Sequence, residues 1–301
     1  MRYRKECEEC SRRQAERVFR LAVRDPQVRN RLPQDIEALQ KEVGQKAVEI
    51  VKASDPRRSP AEVSFRAILE AHRVTGCDDP FRKEKAESNE LALKLYPKLS
   101  ELAQQADDPI LTACLLAASG NIIDLGIQES FDLEAAICHA LEQGFRLSHY
   151  DRLKRELEKT DRRGGLLLYI LDNAGEIVFD RILIEQIRTY FPSIQIVASV
   201  NSGPVLNDAL MEDAEAVGLR DLVEVIENGH PDLGTVLERC SPQFRDMYFS
   251  ADVIIAKGQA NYETLDEQPE NIFFILQAKC KLVAESLGVS LYDPVLVKKS
   301  D

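Results

Sequence analysis

Asp172 and Asn173 open the segment Asp172-Asn-Ala-Gly-Glu176, and Asp208 closes the pair Asn207-Asp208; each segment lies just beyond an apolar run. Two carboxylates and an amide are hard oxygen donors, the kind that suit Mg²⁺ or Mn²⁺ with positions left open for substrate. Lys257 ends a further apolar run and is followed by Gly258. A lysine holds phosphate as a point charge, and a glycine lets backbone N–H groups come close. A hard metal and a lysine around one pocket are the arrangement used for phosphoryl transfer. Glu176 lies one helical turn from Asn173. It reads either as an acid/base that orients a water or as a carboxylate favouring a helix N-terminus, and both readings stand.

Each signal also has a plainer reading. Asp-Asn-Ala-Gly suits a turn into a capped helix, Asn207-Asp208 a helix start, and Lys257-Gly258 a strand running into a turn. What favours chemistry is their coincidence at successive strand ends. The apolar runs at 166–171, 194–200, 222–226, 253–256 and 272–276 alternate with helical stretches. Continuous apolar runs are strands buried on both faces, and strand alternating with helix predicts a parallel sheet covered by helices. Ligands in such sheets bind at the carboxyl ends of the strands, where all these residues fall.

The expected fold is therefore α/β, with a Rossmann-like three-layer parallel-sheet core over residues 151–301. Residues 1–150 read differently. Apolar side chains spaced three and four apart predict helices near 10–24, 34–52, 61–74, 84–104, 109–119 and 133–142, with Pro26, Pro33, Pro56 and Pro60 at the breaks. This half is expected to be a helical domain forming one wall of the cleft.

With 301 residues and a net charge of −12, the chain argues against a nucleic-acid-binding face, which needs a concentrated basic surface. No apolar stretch reaches the roughly 20 residues of a membrane span. Seven cysteines, an odd number, with no secretory features suit a reducing cytoplasm. The oligomeric state does not follow from these residues.

These same segments resemble the damage-control phosphatases, a family long catalogued as a domain of unknown function. The resemblance lies in Leu171-Asp-Asn-Ala-Gly-Glu176, Leu206-Asn-Asp-Ala209 and Asp252-Val-Ile-Ile-Ala-Lys-Gly-Gln-Ala-Asn-Tyr-Glu-Thr-Leu265. Upstream, Asp79-Pro-Phe-Arg-Lys-Glu-Lys85 and Gly120-Asn-Ile-Ile-Asp124 add to it, and Cys7-Glu-Glu-Cys10 resembles the start of the archaeal and bacterial branch. The resemblance implies Asp172, Asn173 and Asp208 as metal ligands and Lys257 as the phosphate-contacting lysine. It also implies that Asn121 and Asp124 reach the cleft from the helical part. The implied activity is hydrolysis of small phosphate esters, such as sugar phosphates or metabolic side products, with Mn²⁺, Mg²⁺, Co²⁺ or Ni²⁺. Asp172, Asp208, Lys257 and Glu176 would be catalytic, and Lys257, Gly258, Asn121 and Asp124 would hold substrate.

Two alternatives share the sheet. A Rossmann-type methyltransferase needs a glycine-rich first turn, where this chain has Asp172, Asn173 and a single Gly175. A non-catalytic protein that binds metal and a phosphorylated ligand would use the same donors. Cys7 and Cys10 form a lone C-x-x-C pair, short of the four ligands of a structural zinc. His230 follows a predicted strand beside Pro231 and reads as a solvated loop residue.

Overall fold

A computed structural model describes residues 1–120 and 133–299. The chain starts with helices α1 (Glu6–Ala22), α2 (Pro26–Arg29), α3 (Ile36–Lys52), α4 (Pro60–Thr75), α5 (Arg82–Gln105), α6 (Pro109–Ser119) and α7 (Leu133–Gln143). Four of their starts carry side-chain caps: Asp25, Asp35 and Asp108 each accept a backbone N–H, and Ser59 forms a reciprocal capping box with Glu62. Proline at the first position of α2, α4 and α6 fits the same starts.

The second half alternates. It runs β1 (Leu147–Ser148), α8 (Tyr150–Arg163), β2 (Leu166–Ile170), α9 (Glu176–Tyr190), β3 (Gln195–Val200), α10 (Met211–Ala216) and β4 (Glu224–Glu227). Then come α11 (Pro242–Ser250), β5 (Val253–Lys257), α12 (Gly258–Leu265), β6 (Ile272–Gln277), α13 (Lys281–Leu287) and β7 (Pro294–Lys298). The sheet order is β1-β7-β6-β5-β2-β3-β4. All pairings are parallel except β6–β7, which is antiparallel. The purely parallel sheet expected from the sequence is thus a mixed one with two added strands, β1 and β7, of which β7 runs antiparallel to β6.

Side chains alternate across the central strands, as pleating requires. Leu167, Tyr169, Ile255 and Phe273 join a core with α5, α6, α8 and α9. Leu168, Ile170, Ile254 and Phe274 face Phe244 and Tyr248 of α11, Tyr262 of α12 and Val283 of α13. The result is helices, sheet and helices in three layers, and each fully buried apolar side chain contributes about 1.5–3 kcal/mol. Helices α5 and α6 belong to one of these layers. Helices α1, α3 and α4 instead pack around a separate cluster of Ala15, Val18, Phe19, Val43, Ala47 and Ile68.

From β2 the chain moves outward through β3 to β4. From β5 it moves the opposite way, to β6 and β7. The strand order therefore reverses between β2 and β5, and a crevice must open at their carboxyl ends.

Candidate active site at the strand order reversal

After β2, residues 171–175 make a turn, and Gly175 at φ 80° starts α9. After β3 the chain loops back so that Asn173 and Asp208 pair as an isolated antiparallel bridge. Ala174 N donates to Asn207 O at 2.9 Å and Ala209 N to Asp172 O at 2.8 Å. Two segments 35 residues apart are thereby clamped backbone to backbone, so the three expected ligands share one spot. The helix expected from about Asn207 starts later, at Met211, because Asn207 and Asp208 are used in this clamp.

Around the clamp stands a set of amides. Asn201 Nδ2 donates to Asp208 Oδ2 at 3.1 Å. Asn261 Nδ2 donates to the carbonyls of Leu171, at 3.1 Å, and Lys257, at 2.8 Å, so it ties together the two strands at the reversal. Asn89 of α5 accepts from Gly175 N and donates to Asp213, both at 2.7 Å. Lys85, buried one turn earlier, pairs with Asp79 at 2.9 Å and Asp213 at 3.6 Å. The Asp79–Lys85 segment thus braces the site from behind.

Asp172, Asn173 and Asp208 line a cavity of about 500 Å³ that also meets Arg17, Gln259 and Lys279. Burial raises the carboxyl of Asp172 well above its ordinary range, and the charge of nearby Glu176 adds to this. Burial likewise pushes Asp208 up to about 7, against the hydrogen bond from Asn201 and the charges of Lys85 and Lys279. Among the described residues neither carboxylate has a cation within ion-pairing distance. Asn173 Nδ2 donates to Asp172 Oδ2 at 2.9 Å and to Glu176 Oε1 at 2.8 Å, leaving its carbonyl oxygen as the group available to a cation. Buried carboxylates left without a positive partner are what a divalent ion relieves, so this donor set fits one.

Gly258 has a steric role here. A Cβ at this residue would lie 1.9 Å from Asp172 Oδ2, and its φ of 81° disfavours any other residue.

Lys257 departs from expectation. Its side chain is 1% exposed and runs away from the cavity, donating to Asp180 Oδ1 at 2.7 Å and to Ala117 O at 2.8 Å. Glu176 Oε2 lies 3.9 Å away. Burial disfavours the ammonium, but Asp180 and Glu176 outweigh it and raise its pKa. Asp180 in turn is pushed up to about 6 by burial, against the pull of Lys257, and accepts from Tyr169 Oη at 2.8 Å. Lys257 therefore crosses the core to hold the end of α6 and the start of α9 together. Of the cations that line the cavity, Lys279, exposed just past the end of β6, is one whose charge acts on both Asp172 and Asp208.

Asn121 and Asp124 lie outside the described residues. Cys7 and Cys10 line the same cavity as Cys280, and burial raises all three thiols, Cys7 to about 11. Among the described residues no three His, Cys, Asp or Glu side chains are placed to hold one ion; the Asp172 set includes an amide. His230 Nδ1 sits 3.1 Å from Asp232, outside the cavity lining.

Asn201, Asn261, Asp180, Asn89 and Lys279 are the contributors that sequence reasoning left without a role. Lys279 was within reach of the same rule, since it follows the last apolar run. Asn89 and Asp180 carry no local signal, because they act through partners far along the chain.

An α/β protein with two carboxylates that have no cation partner among the described residues, placed at the strand reversal, has the architecture that binds ligands in a crevice at the carboxyl ends of the strands. Residues 3–295 match the damage-control phosphatase ARMT1-like domain, and the chain belongs to that family. It is 34% identical over 292 residues to a damage-control phosphatase of Pyrococcus horikoshii, covering 96% of this chain and 95% of that one. It is 31% identical over 241 residues to a damage-control phosphatase of Archaeoglobus fulgidus, covering 78% and 81%. The crystal structure of a DUF89 family protein from Pyrococcus horikoshii aligns over 100% of both chains, with a TM-score of 0.84 at 31% identity.

Proposed function

We propose that the chain is a metal-dependent phosphatase that hydrolyses small phosphorylated metabolites. One observation carries the reading: Asp172 and Asp208 meet on one cavity, raised by burial and unpaired among the described residues, with a lysine in the same lining. Asp172, Asn173 and Asp208 would hold the ion, with Mn²⁺, Mg²⁺, Co²⁺ and Ni²⁺ as candidates. Such an ion, when bound, withdraws charge from a phosphoryl oxygen and makes the phosphorus a better electrophile.

The chain's own residues do the rest. Lys279 draws the phosphate dianion into the cavity and holds it as a point charge. Glu176 keeps Asn173 in orientation through its 2.8 Å hydrogen bond. Lys257 and Asp180 act behind it, holding Glu176 on α9 against the end of α6. Gly258 gives Asp172 room. No described helix is long and apolar enough to cross a membrane, and nothing else in the reading calls for one.

The test is hydrolysis of p-nitrophenyl phosphate by metal-stripped protein, alone and with each of the four ions. Activity restored by an ion and lost in Asp172→Ala supports the reading. Activity that survives both Asp172→Ala and Asp208→Ala overturns the site. Folded protein that binds the ion but releases no phosphate from any ester would indicate the non-catalytic alternative.

A further inference from the structure

Among the described residues, only two that are not glycine adopt a positive φ: Leu206 at 47° and Tyr292 at 67°. Both line the cavity that holds Asp172 and Asp208. Side chains rarely tolerate this conformation, and such outliers persist where the surroundings over-determine them. For Tyr292 the surroundings are visible. Its N–H donates to Ala278 O at 2.9 Å, and Ala278 N–H donates to Asp293 O at 3.2 Å. This pair of bonds extends the β6–β7 pairing by one step, and Lys279 is the next residue. Tyr292 is thus pinned beside the phosphate-facing lysine. It is also 67% exposed, more than any other large apolar or aromatic side chain described.

Folding alone gives no reason for an aromatic here. Glycine would relieve the backbone, and a polar residue would suit the exposure. From this geometry we infer that Tyr292 is a specificity-determining residue whose ring forms a platform for the organic part of the substrate, which therefore carries a flat or ring-shaped face. The inference rests on the phosphatase reading for the phosphate end. With Lys279 on the phosphate, the ester's organic group lies over the neighbouring residue, and ring faces, aromatic or sugar, pack on tyrosine. Leu206, strained in the same sense, adds an apolar surface next to Asn207 and Asp208. Small apolar walls around a few charged groups are how such cavities separate orientation from selectivity.

The test compares phenyl phosphate with methyl phosphate as substrates of the Mn²⁺-loaded protein, and phenylphosphonate with methylphosphonate as non-hydrolysable ligands by calorimetry. Wild type favours the ring in both pairs. Tyr292→Ala lowers the phenyl-to-methyl ratio of kcat/KM about tenfold, mainly through KM, and weakens the preference for phenylphosphonate over methylphosphonate by a similar factor. Tyr292→Phe retains both ratios. Tyr292→Gly loses both although its backbone strain is gone, and it serves if the alanine variant folds poorly. Equal phosphonate affinities in wild type, or ratios unchanged in both Tyr292→Ala and Tyr292→Gly, overturn the inference. Loss of the ratios in Tyr292→Phe as well overturns it, because the hydroxyl would then be the contact. Absence of turnover with both esters sinks the phosphatase reading instead, while the phosphonate ratio still decides the platform.

Discussion

Two sets of acidic residues lie around strands β2 and β5, one on α9 and one in the loops after β2 and β3, and they are neutralised in opposite ways. Behind the strands, Asp180 meets Lys257 at 2.7 Å and Tyr169 at 2.8 Å, with every partner drawn from the chain. In front, the hydrogen bonds that the Asp172 and Asp208 side chains receive among the described residues come from amides, and burial raises both. The interior pair is neutralised by a lysine of the chain through Asp180 Oδ1, although the buried Oδ2 has no hydrogen-bond partner among the described residues. The front pair has no such cation among the described residues, the condition under which a fold can store affinity for a cation rather than stability. The difference shows that burial of a carboxylate says little until its partner is known.

The contrast breaks first at Lys257. Removing one member of a buried ion pair strands the other and costs about 3–5 kcal/mol. Lys257→Met is therefore expected to destabilise the protein by that amount in chemical denaturation, and adding Asp180→Asn should recover much of it. If Lys257→Met keeps full stability but loses phosphate release, the lysine serves substrate rather than α6 and α9.

For the front pair the sign reverses. Asp208 titrates at about 7 in the folded chain and near 4 in the unfolded one. Between those values the folded state holds a proton that the unfolded state has lost, so this residue makes stability fall as pH rises through that window and stay low above it. The loss is at most about 4 kcal/mol at 1.36 kcal/mol per unit. Metal-free protein should thus melt lower at pH 8 than at pH 5 on this account. Asp208→Asn should flatten the slope and raise the melting temperature at pH 8, while Mn²⁺ should rescue wild type alone. An unchanged slope in Asp208→Asn would show that Asp208 is not the strained group.

How much of this was visible beforehand depends on the range of each interaction. The central strands were legible because strands buried on both faces read as unbroken apolar runs, as in Leu166–Ile170 and Val253–Lys257. Strand β7 was not, since Pro-Val-Leu-Val-Lys is short, opens on proline and pairs antiparallel. Asp172, Asn173 and Asp208 were legible because strand ends at a reversal expose whatever follows them. The direction of the Lys257 side chain was not, because Asp180 lies 77 residues away in the chain and Ala117 140. A lysine at a strand end looks the same whether it turns out to a phosphate or back into the core.

Gly258 links the two regions, since it follows Lys257 and touches Asp172. A Cβ there would sit 1.9 Å from the Asp172 carboxylate and 2.1 Å from its Cγ, so the carboxylate must move. Gly258→Ala is expected to lower phosphate release about 10²-fold, the scale for losing one placed electrostatic group. The metal concentration needed for half-maximal activity should rise with it. A variant that keeps wild-type metal dependence would show that Asp172 has freedom the packing does not suggest.

The smallest effect, and the sharpest on how the front pair is held, belongs to Asn89. Its side chain accepts from Gly175 N and donates to Asp213, both at 2.7 Å and both buried. Asn89→Ala leaves a buried backbone N–H without a partner, which costs about 1–3 kcal/mol. Because Gly175 ends the turn that begins with Asp172, the loosening should fall on the clamp between Asn173 and Asp208 before it reaches the sheet. Amide exchange is the measurement: Ala174 and Ala209, whose N–H groups close the clamp at 2.9 and 2.8 Å, should exchange faster in the variant, while Ile255 in β5 should not. Equal acceleration at Ile255 would mean that the clamp and the sheet open as one unit, and the division between a self-sufficient interior and a front face awaiting its cation would fail.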